Sequence, residues 1–394
     1  MASNSDYCLC TICGMNLDPP DWQSLVICLS GPHWPDHQPK SLDLSGDAVR
    51  RFHAHVDAYP GRLELVPDSR RVIPQFEYEL ENSDMLAELA PCKIFIGIHP
   101  ACEDLANRVM RTSFTSRVRS IGDLWMTLER RCARHEWGPW HNPSFNFLPY
   151  IPKSQPGEPL SFGADRYYVP FSCIVNFGDE WEGWWDHDPI NIPDLTTQLL
   201  SNLEPISRAS SPFPPSKLVQ DFKGRLRALP PEIKNELIPW FQKGTISLDC
   251  NYIMPQSLWK QVFFQTPFLW DLDTELVLDK ICSEPSEIEE WNWEKLTRQI
   301  LSPAQPSTRE YEGDKNGYVW SHETIGLHVP PGFTNRRRIW QILEEMWPND
   351  VDALKEFEVW TGDEADYETD DEEFDRDIWW DDEWIELNLW PDLD

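Results

Sequence analysis

Two half-sites far apart in the sequence constrain this chain most: Cys10-x2-Cys13 followed by Gly14 near the start, and His99-Pro100-Ala101-Cys102 further on. The first has the spacing of a zinc-knuckle turn, which supplies two thiolates from one short loop. Two ligands do not close a site. A structural zinc takes four soft or borderline ligands in a tetrahedron, so a second pair must come from elsewhere in the fold. His99 and Cys102 stand where a strand-like run, Ile94-Phe95-Ile96-Gly97-Ile98, gives way to a helical stretch, Glu103 to Met110, and two ligands at such a junction can face one ion. We therefore expect Cys10, Cys13, His99 and Cys102 to hold a structural zinc that ties the N-terminus to the body of the first domain. Cys8, Cys28 and Cys92 are substitute ligands, while His33, His37, His53 and His55 lie in loop-like or amphipathic segments and suit the role less. The competing reading makes Cys102 a buried apolar thiol and His99 a hydrogen-bonded core histidine.

A chain of 394 residues with 40% hydrophobic content can build two or three domains around a substantial core. Its formal net charge of -33 argues against nucleic acid, whose nonspecific binding rests on Lys and Arg, and against anionic membranes for the same reason. No stretch approaches the roughly 20 apolar residues that span a bilayer, and Met1 to Asp6 lacks a basic segment followed by an apolar run. A soluble protein of the cytoplasm and/or nucleus is expected, with its ten cysteines reduced or metal-bound. The 21 tryptophans bury much area each and keep a polar tip that suits interfaces.

A second signal lies at Leu229-Pro230-Pro231-Glu232-Ile233. The prolines preset a first helical turn, and Glu232 sits near the positive helix end. Leu229, Ile233, Leu237, Ile238 and Phe241 recur at helical spacing, and a second apolar pattern ends at Leu258-Trp259. Pro239 predicts a kink or an end to the first helix. This order resembles the F-box, a module of roughly three helices that opens Leu-Pro-x-Glu-aliphatic and carries a late tryptophan. The resemblance implies that Leu229, Pro230, Glu232, Ile233, Leu237, Ile238, Phe241 and Trp259 engage the adaptor protein of a cullin-type ubiquitin ligase, and that other surfaces recruit a protein substrate. The early Cys-x2-Cys-Gly with a later His-x2-Cys before a helix is also similar to a pattern in fungal proteins.

Elsewhere, Leu42 to Leu65 reads as a connector. Ile121 through Cys132 reads as a helix with Ile121, Leu124, Trp125, Leu128 and Cys132 on one face, and Asp194 as the cap of a short helix, Leu195 to Leu203. Glu136 to Pro193, rich in Trp and Pro, suits an irregular aromatic surface better than a metal site at Asp186, His187 and Asp188. Helices are expected over Glu275 to Cys282 and Glu287 to Leu301, one or two strands within Asn316 to Pro331, and a helix from Arg336 to Trp347 whose arginine triplet forms a charged face. Asp363 to Asp394 supplies -15 of the net charge, yet carries Trp379, Trp380, Trp384 and Trp390.

The expected fold class is α+β, mainly helical. It comprises a zinc-stapled domain over residues 1–206, a Ser/Pro-rich linker over 207–226, an F-box-like module over 227–270, a mainly helical region over 271–362 and an acidic tail over 363–394. Gly-rich phosphate loops, Gly-x-Ser-x-Gly elbows and His-Glu-x-x-His motifs are absent, so no catalysis is expected. The reading is an F-box-like substrate receptor; the alternative is a zinc-stapled scaffold or regulatory protein with no ligase role.

Overall fold

A computed structural model describes residues 10–13, 17, 25–31, 49–56, 63–66, 71–72, 95–132, 187–207, 217–241, 246–283, 285–302, 305–310 and 316–346. Within these, the first half of the chain builds an antiparallel sheet from β1 (Val26–Ser30), β2 (Arg50–Val56), β3 (Leu63–Val66), β4 (Arg71–Val72) and β5 (Phe95–Ile98). The strand order is β4-β3-β2-β1-β5. All five residues of β1 are buried, as befits an interior strand covered on both faces. Its register places Ile27 opposite both His53 and Ile98, and Leu29 opposite both Arg51 and Ile96.

β2 and β3 replace the connector expected over Leu42 to Leu65. Phe52, Ala54 and Val56 alternate with the exposed Arg51, His53 and His55 along β2, the period-2 pattern of a strand with one wet face. The helical expectations nearby fare better. α1 (Pro100–Thr112) follows β5 after the single residue His99, and α2 (Ile121–Cys132) keeps the expected bounds, with Leu124, Trp125 and Leu128 buried.

Downstream come α3 (Leu195–Ser201), β6 (Pro205–Ser207), α4 (Lys217–Ala228), α5 (Pro231–Phe241), α6 (Gln256–Phe264), α7 (Thr274–Cys282), β7 (Glu289–Trp291), α8 (Trp293–Leu301), β8 (Gln305–Glu310), β9 (Asn316–Ser321) and α9 (Pro331–Glu345). Two small antiparallel pairs join β6 to β7 and β8 to β9. α4 is helix where linker was expected up to residue 226. Asp194 does precede α3, but it takes a left-handed conformation (φ 56°) and its side chain makes no cap. The helix expected from Glu287 starts only at Trp293, because Glu289–Trp291 pairs with β6 and Asn292 then caps the new helix by accepting from the Lys295 amide. α5 runs through Pro239 to Phe241, since a proline this close to the helix end removes one amide donor with little helix left to disrupt.

The largest departure concerns Arg336-Arg337-Arg338, expected as a charged face. All three are buried on α9. Arg336 forms a fork with both Asp271 carboxylate oxygens (2.7 Å each), donates to the carbonyls of Pro189, Ile190 and Phe268, and stacks over Trp270 at 4.0 Å. Arg108 of α1 also stacks on the Trp270 ring, at 4.1 Å. Arg337 donates to the Ile300 and Leu301 carbonyls at the end of α8, where a cation also opposes the helix dipole. Arg336 tolerates this burial because its guanidinium donors all meet acceptors held in place. α1 packs against α9, and one apolar core extends from Cys10 to Met346. The fold is thus mixed helix and antiparallel sheet. The Trp-rich stretch before His187 and the acidic tail lie outside the described residues.

Candidate metal centre

The end of β5 and the start of α1 build one half of the site. His99 occupies the N-cap of α1 and Pro100 its first turn; the His99 carbonyl accepts from the Glu103 amide, but its imidazole caps nothing. Cys102 stands three residues further on. The same N-cap and N3 spacing lets two side chains meet in a capping box, and here it turns an imidazole and a thiol toward one point.

The other half is the turn Cys10–Cys13. Its Thr11 amide and hydroxyl both bond to the Gly97 carbonyl, at 3.0 and 3.2 Å. A Cβ at Gly97 would lie 2.5 Å from Cδ1 of the buried Leu17, so glycine leaves room for the Leu17 side chain against this strand. The His99 amide points at Cys10 Sγ at 3.4 Å. Backbone contacts thus fix the turn against the strand before any ion is considered.

Cys10, Cys13, His99 and Cys102 come together with all four ligand atoms within 4.8 Å of one another, and all four residues are buried. Cys13 Sγ is 3.4 Å and Cys102 Sγ 3.9 Å from His99 Nδ1. A tetrahedral zinc with bonds of about 2.3 Å to sulfur and about 2.0–2.1 Å to nitrogen has edges of roughly 3.5–3.8 Å, so the cluster is close to the size of such a shell. The four residues expected from the sequence are therefore the ones brought together. Cys28, weighed as a substitute, is buried in β1 outside the cluster, and Cys8 and Cys92 lie outside the described residues, as do His33 and His37. His53 and His55 are exposed on β2.

The electrostatics suit a cation. Burial raises the Cys10 thiol, but hydrogen bonds from Cys102 and Cys13 and the His99 charge outweigh it and hold Cys10 well below its ordinary value. Burial lowers His99, and the Cys10 and Cys13 charges override it and hold the imidazole well above its usual range. Burial and the neighbouring thiols push Cys102 up. These opposed shifts favour negative charge on Cys10 and positive charge on His99, and a divalent cation binds to such ligands by displacing their protons. Four protein ligands would close the tetrahedral shell of a bound zinc, leaving no position for a reacting water.

The F-box-like residues fall on α5 and α6. Pro230, Glu232 and Ile233 are exposed, Leu229, Leu237 and Phe241 half-buried, and Ile238 and Trp259 buried at 1% exposure each. Phe241 meets Trp259 with ring centroids 5.2 Å apart, while Arg298 of α8 lies over the same indole. The segment before α6 is pinned by the fully buried Glu294, which accepts from the Asn251 and Tyr252 amides (3.0 and 2.9 Å) and from Arg298. Sequence reasoning missed Glu294: an acid in a charged helix gives no sign of burial until its partners are placed. Asp188 accepts from the Ile190 amide and from Asn191, the His187 carbonyl accepts from Asn335, and among the described residues neither His187 nor Asp188 joins a metal-ligand cluster.

Among the described residues no helix is long and apolar enough to cross a membrane. Comparison of the chain with known protein families, with characterised proteins and with solved structures finds no match.

Proposed function

We propose that this chain is a binding protein without catalysis of its own: a zinc-stapled body that presents α5 to a partner. The F-box-like order of α5 and α6 points to the adaptor of a cullin-type ubiquitin ligase as that partner, with a protein substrate recruited elsewhere on the chain. The supporting observation is the division of labour on α5. Ile238 and, from α6, Trp259 anchor the unit in the core, while Pro230 and Ile233 (47% exposed) face outward beside the half-buried Leu229. An exposed apolar ridge on an anchored helix is the form a helical docking surface takes, and burying it supplies roughly 25 cal/mol per Å² before association costs. The metal is read as zinc, because three thiolates and one imidazole in a closed tetrahedral set form a structural zinc site. Such a site, like the free thiols of Cys250 and Cys282, suits the reducing cytoplasm or nucleus.

The test is capture of recombinant adaptor by the full chain and by a Pro230→Ala, Ile233→Ala double variant. Because both side chains are exposed, the double variant should keep its urea midpoint within about 0.5 kcal/mol of stability and lose adaptor binding at least about tenfold. Absence of adaptor binding by the unaltered chain, or equal binding by both, overturns the ligase reading. Leu218 (80% exposed), Phe222 and Trp240 lie outside the F-box-like positions, and this wider apolar surface favours the scaffold reading should the adaptor not bind.

A further inference from the structure

We propose that Arg338 is a positioning residue for the metal centre: the cation that holds the Cys10–Cys13 turn in its ligating form and offsets the negative charge of the loaded site. The inference rests on the metal reading above. One zinc, three thiolates and one neutral imidazole sum to a charge of -1, and a buried net charge is costly without a compensating partner. Arg338 is buried at 8% exposure on α9 and donates through Nη2 to the backbone carbonyl of Cys13. It makes other contacts as well, but this one reaches the ligand turn itself. A guanidinium stays charged at any working pH, and its rigid plane, held by the packing of α9, directs Nη2 at the Cys13 carbonyl.

The rest of α9 explains why Arg338 can do this. Arg336 is fixed by Asp271 and three carbonyls, and Arg337 by the two carbonyls that end α8. Three successive arginines thus grip three separate parts of the chain, and the third grips the metal turn. α1, which carries His99 and Cys102, packs on the same helix. Both halves of the site are therefore referenced to α9, one by packing and one through Arg338. Metal binding and the docking of α9 must then favour each other, each by the same factor.

The experiment compares the full-length protein with Arg338→Gln and Arg338→Lys by chelator competition for zinc, by the thiolate-to-metal charge-transfer band after cobalt substitution, and by hydrogen exchange of residues 331–345 with and without metal. Arg338→Gln should bind zinc about 10–100-fold more weakly, the usual cost of losing a group that orients a metal ligand. Its cobalt band should move as the thiolates lose the nearby cation. Arg338→Lys, which keeps the charge without the fork, should fall between. Zinc should slow exchange over 331–345 in the unaltered protein more than in either variant. If Arg338→Gln fails to fold, Arg338→Lys decides, and affinity and a cobalt band identical to the unaltered protein overturn the proposal. If the unaltered protein binds no zinc, the metal reading falls with it. Tight zinc binding in all three proteins removes the role of Arg338 and leaves the metal centre standing.

Discussion

His322 shows what a single buried group does to this chain. It is 1% exposed, its Nδ1 lies 2.9 Å from Thr334 Oγ1, and its ring packs against Phe333. Burial, aided by the Arg337 charge, pushes its pKa down from 6.5 to about 3, against a smaller upward pull from the Ser302 backbone. The folded value lies below the unfolded one, so between them the unfolded chain binds the extra proton. The stability that neutral His322 confers is therefore complete above about pH 6.5 and is lost as the pH falls toward 3, by roughly 1.4 kcal/mol per pH unit. Urea unfolding at several pH values should show a slope in the unaltered protein that exceeds the slope of His322→Gln by this amount. Equal slopes would show that His322 does not carry it.

The ion pair of Glu294 and Arg298 decides how the α5–α6 unit is carried. Both side chains are buried, on neighbouring turns of α8, and the carboxylate also holds two amides of the segment before α6. Tyr252 takes a positive φ of 52° beside it, a strain that two strong acceptor bonds can hold. Glu294→Gln removes the negative charge from a buried arginine and should destabilise the protein by roughly 3–5 kcal/mol in urea unfolding; a loss under about 1 kcal/mol contradicts the pinning role. At this scale the sequence was legible where one period dominated. α2 buries Leu124, Trp125 and Leu128 of its expected apolar face, and α7 covers the expected helix, starting after Asp273, whose carboxylate caps the Glu275 and Leu276 amides. β2 was missed because its alternation is short and its wet face carries arginine and histidine. The start of α8 was missed because the pairing of β7 with β6 is a long-range event that local spacing does not encode.

On the scale of the molecule, the two half-sites were the most readable feature, because metal chemistry restricts ligand type, number and spacing far more than packing restricts apolar residues. Cys10, Cys13, His99 and Cys102 converge although the first pair and the second are 86 residues apart between Cys13 and His99. What the sequence hid is the support behind them. The arginines of α9 look like a solvated triplet until Asp271, the α8 carbonyls and the Cys13 carbonyl are placed around them. The Cys/His cluster joins the N-terminal turn to the β5–α1 junction, and Arg338 ties that turn to α9 near the other end of the described residues. The most direct measurement is X-ray absorption at the zinc edge on the purified full-length protein, alongside its metal content. About one zinc per chain, with three sulfurs at about 2.3 Å and one nitrogen at about 2.0–2.1 Å, is the expected result. A protein without zinc, or a zinc shell with fewer than three sulfurs or a bound water oxygen, contradicts the account.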